Sequence, residues 1–189
     1  MNILVIFAHS DVNNSSIANR VIIEQIKEVS SIEVRELYQM YPDFKIDVDA
    51  EQQAILDADL IIFQYPLHWY NMPGLLKEWI DRVFLRGFAY GCGNKLNGKS
   101  FLVSTTIGGP RDSYKRGGHN NFTLDELLTP LEQTASFTGM KFNKPIISYN
   151  MAFIPGGEIN KLEIIRKARE HATRLLNFIK EQTLIYSPI

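Results

Sequence analysis

The residues best suited to chemistry lie in three short segments, each directly after an apolar run. The first, "HSDVNNSSIAN" (9–19), combines a histidine with serines and asparagines. The second, "PLHWYNMPG" (66–74), joins a histidine to two large aromatic residues. The third, "IGGPRDSY" (107–114), joins paired glycines to a tyrosine. Each segment has the composition of a ligand-binding loop, and each also has a purely structural explanation.

The first segment contains neither GxxxxGK[ST] nor GxGxxG, so a P-loop and a dinucleotide fingerprint are absent. Ser15 and Ser16 precede a predicted helix, whose free N–H groups and positive dipole end favour an anion such as a phosphate monoester. Either serine could instead serve only as the helix N-cap. His9 could donate to the same phosphate, or it could be a hydrogen-bonded polar residue at a strand end.

The second segment places Trp69 and Tyr70 at the end of a predicted core strand. Exposed aromatic surface is unfavourable for solubility, so these rings should cover something. The alternatives are a planar cofactor ring, a partner subunit or the helix that follows. Pro66 and Pro73 restrict φ on either side and favour a rigid loop.

The third segment has Gly108 and Gly109 where a chain must turn tightly or approach a ligand closely. Backbone N–H groups of residues 107–110 could bind a ring carbonyl and stabilise negative charge, as an oxyanion hole does. A simple turn explains the glycines equally well. Tyr114 and His119 follow as candidate proton donors, although loop residues of these types are more often ordinary surface residues.

Other catalytic classes have little support in the sequence. No Ser-His-Asp arrangement and no metal-ligand spacing is present, so no metal site is expected. Cys92 is the single cysteine, which excludes an intrachain disulfide and fits a reducing cytoplasm. His171 lies among charged residues of the last predicted helix and is expected to be solvated surface.

The composition indicates one globular domain covering residues 1–189. Apolar residues make up 45% and charged residues 22% of the chain, and the net charge of −1 gives no reason to bind nucleic acid. The opening "MNILVIFAH" lacks the features of a signal peptide. No apolar run approaches the roughly 20 residues that span a bilayer. A soluble, cytoplasmic protein is expected.

Four near-continuous apolar runs predict buried strands at 2–8, 59–65, 99–106 and 144–150. Such runs are typical of parallel sheets covered on both faces. A fifth run, 32–38, alternates apolar and charged residues, as expected for an edge strand.

Apolar residues at helical spacing lie between and after these runs. They predict helices at about 18–29, 54–58, 75–83, 124–135 and 162–179. Alternating strands and helices indicate an α/β fold, a three-layer, doubly wound sandwich around a five-stranded parallel sheet. With five strands, the flavodoxin-like order 2-1-3-4-5 is favoured, and a ligand then lies beyond the C-terminal ends of strands 1 and 3.

Several motifs in this order resemble one family. "AHS…SSIAN" follows strand 1, "PLHWYNMPGLLKEWIDRVFLRGFAYG" follows strand 3, and "TTIGGP" precedes a tyrosine. Together they resemble the flavodoxin-like NAD(P)H:quinone oxidoreductases. Within that family, "LYQMYPDFKIDVDAEQ" (37–52) is most similar to general-stress flavoproteins and to cytosolic ancillary subunits of glutathione-gated potassium efflux systems.

The resemblance implies a bound flavin, with FMN favoured over FAD, and a homodimer with the site at the subunit interface. The implied phosphate contacts are His9, Ser16, Ile17, Ala18 and Asn19. The isoalloxazine ring is expected against Pro66, Leu67, His68, Trp69 and Tyr70, with Ile107, Gly108, Gly109 and Pro110 at its polar edge.

The sequence departs from the family pattern in two places. Ser10 replaces a proline that often follows the histidine, and one apparent extra residue in 13–16 leaves the register of the phosphate loop open by one. Animal quinone reductases pair a tyrosine with a histidine six residues later, whereas Asn120 stands six residues after Tyr114 here. Tyr114 and His119 therefore remain the two candidate catalytic proton donors.

The implied activity is ping-pong hydride transfer. NAD(P)H reduces the flavin and leaves, and a quinone or nitroaromatic acceptor then takes its place. An alternative is a redox-sensing regulatory subunit of a potassium-efflux transporter, peripheral at the inner face of the cell membrane. A one-electron carrier is less favoured because such carriers tend to be strongly acidic. A flavin-free domain would need protein alone to cover Trp69 and Tyr70.

Overall fold

A parallel β-sheet forms the centre of the fold. The computed structural model describes residues 1–153 and 160–186. Strands β1 (Ile3–Phe7), β2 (Ile32–Glu36), β3 (Leu60–Pro66) and β4 (Ser100–Thr106) pair in parallel in the order β2-β1-β3-β4. Every residue of β1, β3 and β4 is buried, whereas β2 is partly exposed. The predicted buried strands at 2–8, 59–65 and 99–106 and the predicted edge strand at 32–38 are therefore confirmed.

The prediction of one buried strand at 144–150 is wrong in extent and in burial, because two short, partly exposed strands at 141–142 and 146–148 take its place. β5 (Lys141–Phe142) pairs with one end of β4 and β6 (Ile146–Ser148) with the other, both in parallel. Pro145 lies between them and has no N–H to donate to a ladder, so pairing is interrupted there. The order 2-1-3-4-5 is confirmed, and β6 is an additional strand.

Helices cover both faces of the sheet. They are α1 (Val12–Ser15), α2 (Ile17–Lys27), α3 (Leu37–Met40), α4 (Val48–Asp57), α5 (Gly74–Val83), α6 (Leu124–Thr138) and α7 (Lys161–Tyr186). Ile3 and Val5 pack with α2 and α7, while Leu4 and Ile6 pack with the helices of the opposite face. This alternation produces the predicted three layers. Within the described residues, no helix combines the length and apolar character needed to cross a bilayer.

His171 is buried, so its predicted position on the solvated surface is wrong. Its side chain is 0% exposed and lies on the face of α7 that also buries Ile164, Ala168 and Leu175. These residues are three or four positions apart, the spacing of one helix face. The neighbouring charged residues Arg169 and Glu170 lie on the exposed side of the helix. The burial of His171 therefore follows from its position in the helical period and not from the composition of the surrounding sequence.

A buried carboxylate organises the opposite face. Glu51, on α4, is 0% exposed and accepts hydrogen bonds from Trp79 Nε1 at 2.8 Å, from the Tyr41 hydroxyl at 2.5 Å and from Arg35 Nε at 2.8 Å. Arg35 Nη2 also lies 2.6 Å from Glu51 Oε1. Each polar group is satisfied by the others, so this cluster ties α4, α5 and β2 together.

Replacing Glu51 with alanine is expected to lower the free energy of unfolding by about 3–5 kcal/mol. The change leaves the Arg35 guanidinium and the Trp79 N–H without their buried acceptor. Glu33→Ala is the matched control because Glu33 binds the other side of Arg35 at a half-exposed position. It should cost at most about 1 kcal/mol. Urea unfolding measures both variants, and equal losses would contradict the role given to Glu51.

Candidate functional site

The three candidate segments meet at one edge of the sheet. β1, β3 and β4 run in the same direction, and Phe7 is in register with Gln64 while Pro66 is in register with Thr106. The chain continues this alignment past the strands, because Leu67 N–H donates to the Thr106 carbonyl at 2.9 Å. The segments after these strands therefore emerge side by side.

A cavity of about 350 Å³ lies between them. This volume is in the range of small-molecule sites, about 300–1,000 Å³. Its lining includes nine of the predicted site residues: His9, Ser16, Ile17, Asn19, Pro66, Leu67, His68, Ile107 and Gly108. Ser15, the other serine considered at the α2 N-terminus, also lines the cavity, and the lining residues that sequence reasoning missed are Ser10, Thr106, Met151, Ala152 and Phe153. Thr106 could have been inferred as the last residue of a strand that ends at this edge.

The remaining predicted residues lie outside this lining. Ala18 is buried in the first turn of α2. Trp69, Tyr70, Gly109 and Pro110 follow the lining residues of their own segments. A larger cavity of about 570 Å³ lies between β6 and α7 and includes none of the predicted site residues.

Ser16 caps α2. Its Oγ accepts the Asn19 backbone N–H at 3.1 Å, whereas the Ser15 hydroxyl donates to the Asp11 carbonyl at 2.6 Å. Ser16 is therefore the N-cap among the two serines, and this structural role is confirmed. The N–H groups of Ile17 and Ala18 belong to the first helical turn and have no partner within the helix. With Ser16 on the cavity lining, the positive end of α2 faces the cavity.

His9 is a neutral donor at this position. Its Nδ1 accepts the Asp11 backbone N–H at 3.1 Å, so the ring proton of the neutral form is on Nε2. Burial lowers the pKa of His9 to about 4, helped by nearby His68, whose ring centroid is 6.1 Å away. Among the described residues that line the cavity, none is a lysine or arginine. An anion would be held by N–H and O–H donors and the helix dipole.

Trp69 and Tyr70 form the tip of a two-residue hairpin. His68 N–H donates to the Asn71 carbonyl at 2.8 Å, and Asn71 N–H donates back to His68 at 3.0 Å. Trp69 has φ 47° and Tyr70 has φ 64°, as a type I′ turn requires at both central positions. Such turns favour Asn-Gly, and left-handed backbone is costly for bulky residues.

The Trp69 side chain is 92% exposed, so the interpretation that the following helix covers it is wrong. The Tyr70 side chain is partly exposed, and its hydroxyl donates to Asn120 Oδ1 at 3.3 Å. Two exposed aromatic residues thus directly follow His68, which lines the cavity, on a strained backbone. This combination is expected where side chains are selected for contact with a ligand.

The turn at 107–110 offers fewer donors than its four residues suggest. Ile107 N–H donates to the Ser148 carbonyl at 2.8 Å, and Pro110 has no N–H. Only Gly108 and Gly109 retain N–H groups without a backbone acceptor among the described residues. The oxyanion-hole hypothesis is therefore narrowed to these two groups.

The two candidate proton donors differ in placement. Tyr114 is half-buried, and a Cβ on Gly109 would lie 3.6 Å from its ring, so Tyr114 packs against the turn. Burial, with Tyr70 and Tyr149 nearby, raises the pKa of Tyr114, which therefore keeps its hydroxyl proton at neutral pH. His119 is exposed, and its neighbour Asn120 makes the contact to Tyr70. In residues 1–153 and 160–186, no cluster of His, Cys, Asp and Glu side chains could hold a metal ion.

Comparison with known proteins places this site in context. A family model described as having a flavodoxin-like fold matches residues 1–176. An uncharacterized NAD(P)H oxidoreductase, YrkL of Bacillus subtilis, is 36% identical over 183 residues, covering 96% of this chain and 99% of its own. The potassium-efflux ancillary protein KefF of an Enterobacter species is 41% identical over 177 residues, covering 93% and 96%.

Solved structures show the same likeness. General stress protein 14 of Treponema denticola, crystallised with FMN, has a TM-score of 0.83 and 31% identity, with 93% of this chain and 98% of that chain covered. An NADPH-quinone reductase of P. pentosaceus has a TM-score of 0.78 and 26% identity, covering 92% and 97%. A structure described as a tryptophan halogenase has a TM-score of 0.83 and 38% identity, covering 92% and 98%.

The His9 imidazole is expected to stay neutral and to titrate at about pH 4. Because its pKa is lower in the folded than in the unfolded state, stability should fall as pH drops below about 6.5 and continue falling to about pH 4. ¹⁵N-resolved NMR titration measures the pKa and the Nε2–H tautomer, and His9→Gln assigns the signal and removes its share of the acid destabilisation. A ring that titrates at the ordinary histidine value would contradict the burial argument.

Replacing the hairpin tip with Trp69→Asn and Tyr70→Gly is expected to raise the free energy of unfolding by about 1–2 kcal/mol, because the new residues tolerate positive φ. Phe44→Gly is the matched control, since Phe44 also has positive φ (62°) but lies outside the cavity lining. It should stabilise in the same direction. A loss of stability in the double variant alone would show that the rings contribute packing to the free protein.

Proposed function

This chain belongs to the flavodoxin-like family whose model matches residues 1–176, and from that membership we propose that it is an FMN-dependent NAD(P)H:quinone oxidoreductase. Its similarity to proteins named NAD(P)H oxidoreductase and NADPH-quinone reductase supports this activity. The observation that carries the proposal is the convergence of the α2 N-terminus, the base of the aromatic hairpin at His68 and the glycine turn on one cavity.

The residues present fit FMN. A phosphate group matches the α2 N-terminus, the Ser16 hydroxyl and the neutral His9 ring, which offer N–H and O–H donors. A planar ring matches the exposed faces of Trp69 and Tyr70. FMN is favoured over FAD because the similar general stress protein 14 was crystallised with FMN.

When bound, the flavin supplies the group that accepts a hydride from NAD(P)H and passes it to a quinone or nitroaromatic acceptor in separate half-reactions. The chain supplies position and electrostatics. Trp69 and Tyr70 orient a planar ring, and the N–H groups of Gly108 and Gly109 stabilise negative charge at its edge. Tyr114 keeps the proton on its hydroxyl oxygen and is the better-placed donor to a reduced acceptor. His119 is exposed and remains the alternative.

We also propose that a second copy of this chain covers the outer side of the hairpin, since Trp69 is almost fully exposed in one copy. A homodimer with a shared site would shield a ring bound there from water.

A second candidate function is an ancillary subunit of a potassium-efflux transporter. It is favoured by the 41% identity to KefF across nearly the whole of both chains. The two functions are compatible, because a docked subunit can carry the same flavin site. Docking would place the protein at the inner face of the cell membrane.

The purified protein is expected to bind one FMN per chain, to lose its visible flavin absorption on anaerobic addition of NADPH, and to regain it with a quinone. Trp69→Asn with Tyr70→Gly should raise the Kd for FMN about three- to tenfold through loss of aromatic contact. Phe137→Ala, an exposed aromatic residue outside the site, should leave the Kd unchanged.

A protein that takes up no flavin would overturn this proposal. One similar structure is described as a tryptophan halogenase, so the protein should also be assayed for halogenation of tryptophan in the presence of halide, and no product is expected.

A further inference from the structure

A line of buried polar side chains crosses the otherwise apolar layer between the sheet and the α2 and α7 helices. Gln64 on β3, Ser104 on β4 and His171 on α7 are each 0% exposed, and Asn19 on α2 is 2% exposed. Burying polar groups is costly unless each finds a hydrogen-bond partner. No described buried side-chain nitrogen or oxygen lacks a partner. The line is therefore fully bonded, and the direction of each bond can be derived.

The donor-to-acceptor direction of these bonds can be followed from Arg174, whose guanidinium group has only hydrogen-bond donors. Its Nη2 donates to Ser148 Oγ at 2.6 Å, and the Ser148 hydroxyl lies 2.8 Å from His171 Nδ1. Burial, with Arg174 nearby, lowers the pKa of His171 to about 3, so the ring is neutral and carries one proton. His171 Nε2 lies 2.8 Å from Ser104 Oγ.

The hydrogen bond between Ser104 and Gln64 determines which nitrogen of the His171 ring carries that proton. Ser104 donates its only hydroxyl proton to Gln64 Oε1 at 2.6 Å, so it must accept from His171 Nε2–H. His171 Nδ1 is then bare and accepts the Ser148 hydroxyl proton. Gln64 Nε2 donates in turn to Asn19 Oδ1 at 3.3 Å. Every bond from Arg174 to Asn19 runs in one direction.

The last bond reaches the cavity. Asn19 Nδ2 donates to Ser16 Oγ at 3.1 Å, and the Asn19 backbone N–H donates to the same oxygen at 3.1 Å. Both lone pairs of Ser16 Oγ are thereby engaged, and its hydroxyl proton is left to point away from Asn19. Ser16 lines the cavity, so that proton is available to a ligand there. A ligand oxygen in this position meets a donor and no lone pair.

We propose that this chain of hydrogen bonds, from Arg174 through His171 to Ser16, fixes the Ser16 hydroxyl as a donor to the phosphate group of FMN and makes His171 a positioning residue of the site. The inference rests on the proposed flavin function. It assigns a role to a buried histidine that does not line the cavity. Aligned hydrogen bonds polarise one another, which strengthens the final donor.

The test compares FMN with riboflavin, which lacks the phosphate. The measured quantity is the ratio of the riboflavin Kd to the FMN Kd. His171→Leu should lower that ratio about five- to tenfold, because a hydrogen bond to a charged group is lost or misaligned. His171→Gln should restore most of it, since the amide can donate to Ser104 and accept from Ser148.

Ser104→Ala is the second test variant, and it replaces His171→Leu if that protein fails to fold. Its matched control is Thr105→Val, which removes the adjacent buried hydroxyl on the opposite sheet face, where Thr105 donates to the Tyr65 carbonyl at 2.8 Å. Ser104→Ala should lower the ratio and Thr105→Val should not, although both destabilise the protein. If these hydrogen bonds were purely structural, Ser104→Ala would weaken the binding of FMN and riboflavin equally and leave the Kd ratio unchanged.

The His171 tautomer gives an independent readout. ¹⁵N NMR of the wild-type protein without flavin should show a proton on Nε2 and none on Nδ1. The opposite tautomer, or an unchanged Kd ratio in Ser104→Ala, would overturn this inference. A wild-type protein that binds neither flavin would overturn the proposed function itself, and the tautomer would still report separately on the chain of bonds.

Discussion

Burial of the parallel sheet on both faces is the constraint on which the site depends. The strands β1, β3 and β4 have no exposed residue, and polar side chains within them, such as Gln64, Ser104 and Thr105, are hydrogen-bonded inside the protein. Groups that are free to meet a ligand therefore lie at the strand ends. Since the strands are parallel and adjacent, those ends lie at one edge. His9, Leu67 and Gly108 come together there although about 100 residues separate the first from the last. The cavity follows from the pairing and not from any one segment.

Two groups of buried polar side chains are fully hydrogen-bonded, as burial requires, but they have different consequences for the protein. Glu51 gathers Arg35, Tyr41 and Trp79 around one carboxylate, and the result is a link between helices and an edge strand. The polar line through His171 is also fully bonded, but it ends on a hydroxyl group that faces the cavity. One cluster stabilises the fold, and the other can transmit orientation to a ligand.

The aromatic hairpin holds two bulky residues in a backbone conformation that is costly for them. A two-residue turn with positive φ at both central positions is most stable with Asn-Gly, yet here it carries Trp69 and Tyr70. Neither ring is buried in the chain itself. The surrounding pairs between His68 and Asn71 and the buried β3 strand hold the strained conformation. A rigid, exposed aromatic surface is what binding a planar ring requires, and the same exposure suits coverage by a second copy of the chain.

Apolar periodicity and the rules of parallel topology are local or general, so they suffice to predict from the residues alone the order of the main strands and helices and the edge where the three segments meet. The sequence also identified Ser16, Trp69 and Gly108 as residues of interest. The folded structure was needed to show that His171 is buried, which donors remain free at the glycine turn, and which way the Ser16 hydroxyl points. Those outcomes depend on partners distant in sequence, such as Ser104 with His171, whose approach is set by the packing of α7 against the sheet.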